Sequence, residues 1–182
     1  MKEIRIHGRG GQGSVVTAEL FAMAIFYSGK YSLAFPYLGG GGERRGAPVQ
    51  AFVRMDVKPI RLRSKVHHPD YVIVQDFSLT ELVDVTAGLK SGGLLLINTE
   101  QEPEKLTGFR DYNVRTVPAS KIALEILGAP IMNTAIMGAF AAITGDIDID
   151  SIKKAIHEKF SGPIADKNAA AAQKAYDFML QP

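Results

Sequence analysis

The segment Gly8-Arg9-Gly10-Gly11-Gln12-Gly13 constrains what this chain can fold into more than any other feature of it. Before it, Lys2 to His7 alternates polar and apolar residues, with Ile4 and Ile6 on one face, the pattern of a half-buried strand. After it, Ser14 to Ser28 carries Val15, Leu20, Met23 and Ala24 at helical spacing and stops at Gly29, a natural C-terminal cap. A strand, a glycine turn and a helix in that order match the G-x-G-x-x-G template at Gly8, Gly10 and Gly13 in the context the template demands. The glycines permit a tight turn and a close approach to the backbone, and the helix start offers free N–H groups and a positive dipole end to an anion. Ser14 is placed to cap that helix. Gln12 is unusual for such a loop, because its amide can hydrogen-bond a ligand or a neighbouring chain.

Downstream, strand and helix patterns alternate. Tyr31 to Phe35 reads as a strand ended by Pro36, and a second glycine run, Gly39 to Gly42, leads into Glu43-Arg44-Arg45-Gly46. Val49, Ala51, Val53 and Met55 alternate as a half-buried strand. Ile60 and Leu62 suggest a short return strand after the turn Asp56 to Pro59, which would make part of the sheet antiparallel. Tyr71 to Val74 and Gly93 to Asn98 are short apolar runs of the buried parallel type, and Asn113 to Val117 is a further strand. Helices are predicted over Leu79 to Leu89, from Pro118-Ala119-Ser120 to near Gly128, and over Asn133 to Thr144, Asp150 to Phe160 and Ile164 to Leu180. The expected fold is α/β, a three-layer α/β/α sandwich with a mainly parallel, mixed sheet and a helical C-terminal segment. A core over residues 1–145 and a helical extension over 146–182 form a single domain, with the extension packed on the sheet edge or on a partner.

Composition narrows the function. Apolar residues make up 46% of 182 residues, enough for a packed core. No apolar run approaches the roughly 20 residues of a membrane span, and Met1-Lys2-Glu3-Ile4 leads into a strand pattern without an export signal, so a cytoplasmic protein off the membrane is expected. The net charge of +2 gives nucleic-acid binding no support. The absence of cysteine excludes thiolate-held zinc and iron–sulfur clusters of the usual ligation. His67-His68-Pro69 lacks a third metal ligand, and Asp146, Asp148 and Asp150 are separated by Ile147 and Ile149, unlike a calcium loop. A dinucleotide site would need an acid about 20 residues beyond the glycine loop, and Tyr31-Ser32-Leu33-Ala34-Phe35-Pro36 has none. A free-standing NAD(P)- or nucleotide-binding Rossmann-like protein is therefore the weaker alternative. The P-loop lysine is also missing.

Gly8-Arg9-Gly10-Gly11-Gln12-Gly13 resembles the G-x-G-G-Q-G signature that opens the gamma subunit of 2-oxoacid:ferredoxin oxidoreductases, a unit also found inside single-chain pyruvate:ferredoxin oxidoreductases. Glu43-Arg44-Arg45-Gly46 is similar to the family's E-x-R-G-G segment, with Ala47 in place of the second glycine, a departure that favours the pyruvate branch. Asp70 to Val74, Gly92 to Asn98 and Asn133 to Ala139 resemble further family motifs in the same order, so the likeness spans nearly the whole chain. The resemblance implies a pyruvate synthase-type subunit of a hetero-oligomer with alpha, beta and delta partners. Such a complex converts a 2-oxoacid and coenzyme A to acyl-CoA, carbon dioxide and reduced ferredoxin, or runs the reverse. Thiamine diphosphate, magnesium and iron–sulfur clusters are then expected on the partners, none on this chain, and the chain alone is expected to be inactive, with no catalytic residue.

Coenzyme A carries a pyrophosphate and a 3′-phosphate, which call for backbone N–H groups and guanidinium groups. Gly8, Gly10, Gly11, Gln12 and Gly13 would supply the first, and Arg9, Arg44 and Arg45 the second. Asn98 ends a strand on the side where such sheets bind ligands. Glu43 is assigned to an ion pair, Asn133 to a helix cap, and the basic stretch Arg61 to His68 to a solvated edge. Phe35-Pro36-Tyr37-Leu38 reads as a loop too apolar for free solvent and thus partner-facing.

Overall fold

Alternation along the first strand sorts the molecule into two faces. The computed structural model describes residues 1–37 and 44–181; Leu38, the glycine run 39–42 and Glu43 lie outside them. Strand β1 (Lys2–Arg9) sends Ile4 and Ile6 into the larger hydrophobic core, while Arg5 and His7 occupy the opposite face. Helix α1 (Ser14–Tyr27) follows the glycine loop, and strands β2 (Tyr31–Tyr37), β3 (Pro48–Asp56), β4 (Tyr71–Val74), β5 (Leu94–Asn98) and β6 (Asn113–Val117) complete a six-stranded sheet. Its order is β2-β3-β1-β4-β5-β6, and β3 alone runs against the others. The sheet is thus mixed and mainly parallel, as the sequence predicts.

Helices α2 (Ala119–Leu127), α3 (Asn133–Thr144), α4 (Ile149–Lys159) and α5 (Gly162–Leu180) join α1 against the face that carries Ile4, Ile6, Ile73, Leu94 and Leu96. The C-terminal segment is helical, as expected, and shares this core through Ile152, Ala155, Ile156 and Ala171. Val72, Val74, Leu95 and Ile97 alternate onto the other face, where Leu79, Val85, Leu89 and Leu106 cover them from turns and short 3-10 segments.

Several local expectations are corrected. The return strand at Ile60 and Leu62 does not form, because β2 and β1 already occupy both edges of β3. Residues 57–68 instead lie as a loop, tied down where Arg54 Nη1 donates to the Leu62 carbonyl at 2.9 Å. Leu79 to Leu89 is not an α-helix. It opens with a 3-10 segment, Phe77–Glu81, and Asp84 Oδ1 then accepts from Thr86 N and Thr86 Oγ1, a local bond that competes with helix. Strand β2 continues through Pro36 to Tyr37, tolerated because an edge strand needs no donor on its outer side. The apolar stretch at Phe35 to Tyr37 is therefore strand, not loop.

Candidate functional site

The glycine loop leaves β1 at the carboxyl edge of the sheet and is met there by the second loop. Gly10 forms a bridge with Arg45; its N–H donates to Ala47 O at 2.8 Å, and its carbonyl accepts from Gly46 N at 2.9 Å. A Cβ on Gly10 would lie 2.0 Å from the Arg44 carbonyl oxygen, so only glycine lets the two loops close on each other. A right-handed crossover through α1 would put β2 beside β1, but β3 stands between them. The loops still meet, because β2 and β1 run in the same direction and deliver their carboxyl ends to the same edge.

Arg9 and Gln12 converge on a residue the sequence reasoning passed over. Asp76 Oδ2 accepts from Arg9 Nε at 3.0 Å and from Gln12 Nε2 at 2.9 Å. Arg9 also donates to Gly46 O at 2.9 Å and Ser78 Oγ at 2.7 Å, while Gln12 Oε1 takes the Arg9 backbone N–H at 2.8 Å. Partial burial pushes the Asp76 carboxyl up, but hydrogen bonds from Ser78 and Gln12 and the Arg9 charge outweigh it and hold it below the usual carboxylate range. Its position just past β4, at the edge where such sheets place functional groups, was the available signal.

Below the loop lies a buried polar network. Ser14 Oγ, expected to cap α1, donates instead to Gln75 Oε1 at 2.6 Å, and Gln75 Nε2 donates to Thr17 Oγ1 at 2.9 Å. Asn133, expected to cap α3, is also drawn in: its Nδ2 reaches Gln12 O, Gly13 O and Thr17 Oγ1 at 3.0, 3.0 and 2.7 Å. Asn98 binds Gln75 O and Ser120 at 2.8–3.0 Å, which makes it a strut between β5 and α2. Gly13, at φ 73°, is the N-cap of α1 and Met132 that of α3; neither helix has a side-chain cap. Among the described residues, the first turns of both helices therefore lack a capping acceptor for their N–H groups.

These two N-termini flank one pocket of about 490 Å³, lined by Gly11, Gln12, Gly13, Val16, Ile131, Met132, Asn133, Thr134 and Phe160, among others. Gln12, Asn133, Thr134 and Asn168 supply its polar groups, and Val16, Leu20, Ile131, Met132 and Phe160 its apolar wall. Arg44 and Arg45 are exposed and make no ion pair among the described residues, and Gly11 sits against Arg45, whose Cγ would be 3.7 Å from a Cβ there. The structure thus gathers Gly8 to Gly13, Arg9 and Arg45 at one edge, but spends Arg9, Gln12 and Asn98 on internal bonds. Among the described residues no group of three or more His, Asp or Glu could hold a metal ion, and no helix is long and apolar enough to cross a membrane.

Comparison with known proteins gives the chain a family. Residues 3–178 match the family model described as pyruvate ferredoxin/flavodoxin oxidoreductase. The pyruvate synthase subunit PorC of Methanocaldococcus jannaschii is 52% identical over 181 residues, covering 100% of this chain and 98% of that protein. The crystal structure of pyruvate oxidoreductase subunit PORC from Thermotoga maritima superposes with a TM-score of 0.83 at 34% identity, over 97% of this chain and 95% of the other. At the level of fold alone, 98% of the chain also matches 31% of a longer chain, at 18% identity and a TM-score of 0.78. That protein is the 2-oxoglutarate:ferredoxin oxidoreductase of Magnetococcus marinus, solved with 2-oxoglutarate, coenzyme A and succinyl-CoA bound. The family model, the identity with PorC subunits and the shared fold converge: the chain belongs to the pyruvate ferredoxin/flavodoxin oxidoreductase family, as a gamma-type subunit.

Proposed function

We propose that this chain holds the phosphates of coenzyme A for a pyruvate- or other 2-oxoacid-oxidising complex whose thiamine diphosphate, magnesium and iron–sulfur clusters reside on alpha, beta and delta partners. It passes no electrons itself; the partners reduce ferredoxin. The observation that carries the reading is the pairing of two uncapped helix N-termini, α1 and α3, across one pocket beside the exposed Arg44 and Arg45. Free N–H groups and dipole ends suit a pyrophosphate. Val16, Ile131, Met132 and Phe160 offer an apolar wall to the pantetheine arm, and the guanidinium groups suit the 3′-phosphate. The M. marinus enzyme, solved with coenzyme A, shares the fold. A dinucleotide role is disfavoured, because β3 separates β1 from β2 and no acid stands where a ribose would need one. The chain itself has no cysteine, so its residues do not suit a cluster. The cytoplasm, where ferredoxin is reduced, is the assigned compartment.

Hydrogen exchange on the assembled complex tests this. Saturating coenzyme A should protect amides at 10–16 and 131–136. Protection confined to partner subunits, with these amides unchanged, would contradict the proposal.

A further inference from the structure

The sheet face away from the helices holds a second pocket, of about 390 Å³, lined by Arg5, Gln50, Lys65, Val66, His67, His68, Asp84, Ala87 and Gly88. Arg5 is only 4% exposed, and of the two buried arginines among the described residues it is the one without a carboxylate: Arg54 pairs with Glu3 at 2.7 Å. Arg5 Nε donates to His7 Nε2 at 2.9 Å and Nη2 to Val85 O at 3.0 Å, which leaves Nη1 without a partner among the described residues and within reach of solvent. Neither acceptor is charged, since burial and the neighbouring Arg5 hold His7 neutral, its pKa near 3. Asp84, which acts on Arg5 through space, makes no ion pair with it and spends Oδ1 on Thr86.

A guanidinium cannot shed its proton, and burying one unpaired is costly. The lining brings it Lys65 and, to compensate it, a single carboxylate, Asp84. The wall is fixed in place: Lys65 Nζ sits 4.5 Å from the Tyr37 ring centre, Val66 is buried, and the Pro69 carbonyl accepts from Lys90 N at 3.1 Å. An anion with several oxygens answers this charge: a phosphate offers acceptors to Arg5 and Lys65 at once, and the volume admits the ion with bridging waters.

We infer that this pocket binds a phosphate, free or as a phosphate group of a small molecule, independently of the glycine-loop site. The test is an NMR titration of the full chain with inorganic phosphate and with glycerol phosphate. It reads the His67 and His68 imidazoles and Arg5 Nε–H, and is repeated in Arg44→Ala/Arg45→Ala so that the other edge does not report. Inorganic phosphate should shift these signals saturably. Glycerol phosphate binding as tightly as inorganic phosphate identifies the source as an ester, and weaker binding the free ion. Arg5→Gln should raise the phosphate Kd by about 10- to 150-fold. Should Arg5→Gln not fold, the exposed Lys65→Gln should still raise it severalfold. No saturation by about 10 mM phosphate, or an unchanged Kd in Lys65→Gln and every folded Arg5 variant, overturns the inference.

Discussion

His7 and Asp76 show how single side chains decide behaviour that their neighbours in sequence do not reveal. Buried His7 is 2% exposed and neutral, with a pKa near 3, whereas the unfolded chain binds a proton below about 6.5. The folded state therefore binds fewer protons between those values, and stability falls as pH drops through that window, at up to about 1.4 kcal/mol per unit. His7→Gln, which retains an acceptor for Arg5, should flatten the decline of Tm between pH 6.5 and 4; parallel curves for the two proteins would refute the assignment. Asp76 answers Arg9 and Gln12 together. Asp76→Asn should lower stability by about 1–2 kcal/mol, discounted for partial exposure, seen as a lower denaturant midpoint at unchanged slope. The glycines were legible because their positions follow from strand, turn and helix. The fate of Arg9 was not, because its acid is 67 residues away. Ser14 and Asn133 were misread as caps for the same reason: Gln75 and the loop carbonyls compete for them through space.

Elements were legible where burial on one face enforces a period. Strands β1, β3, β4, β5 and β6 alternate or run apolar as their packing requires, and the helices after Pro118 fall close to where the spacing puts them. The failures are segments with apolar residues but no place in a layer. Ile60 and Leu62 found both edges of β3 taken, and Leu79 to Leu89 buries its apolar groups from turns rather than a helix. The tight crossing of α3 and α5 was also hidden from periodicity. A Cβ on Gly138 would lie 1.9 Å from the Ala172 carbonyl oxygen, so the helices touch backbone to backbone there. Helix propensity alone says that Gly138→Ala stabilises by about 1 kcal/mol. The packing says that it destabilises by about 2–3 kcal/mol. Thermal unfolding distinguishes the signs, and a raised Tm would show that the helices part easily.

At the scale of the whole molecule, the chain brings positive charge and free N–H groups to one sheet edge and has no cysteine for electron transfer. The purified chain should be colourless and should turn over no 2-oxoacid with coenzyme A and an acceptor dye; turnover by the partner-free chain contradicts the division of labour. Its family was legible from motif order, while the pocket between α1 and α3 was not, since it joins residues more than a hundred positions apart. The most direct measurement is steady-state kinetics of the reconstituted complex carrying Arg44→Ala/Arg45→Ala in this chain. Loss of charge-assisted phosphate contacts should raise the KM for coenzyme A by about 10- to 150-fold and leave the KM for the 2-oxoacid within about twofold, a shift small on the scale of one contact. An intact complex whose coenzyme A saturation is unchanged would contradict the account and leave the loops as packing devices.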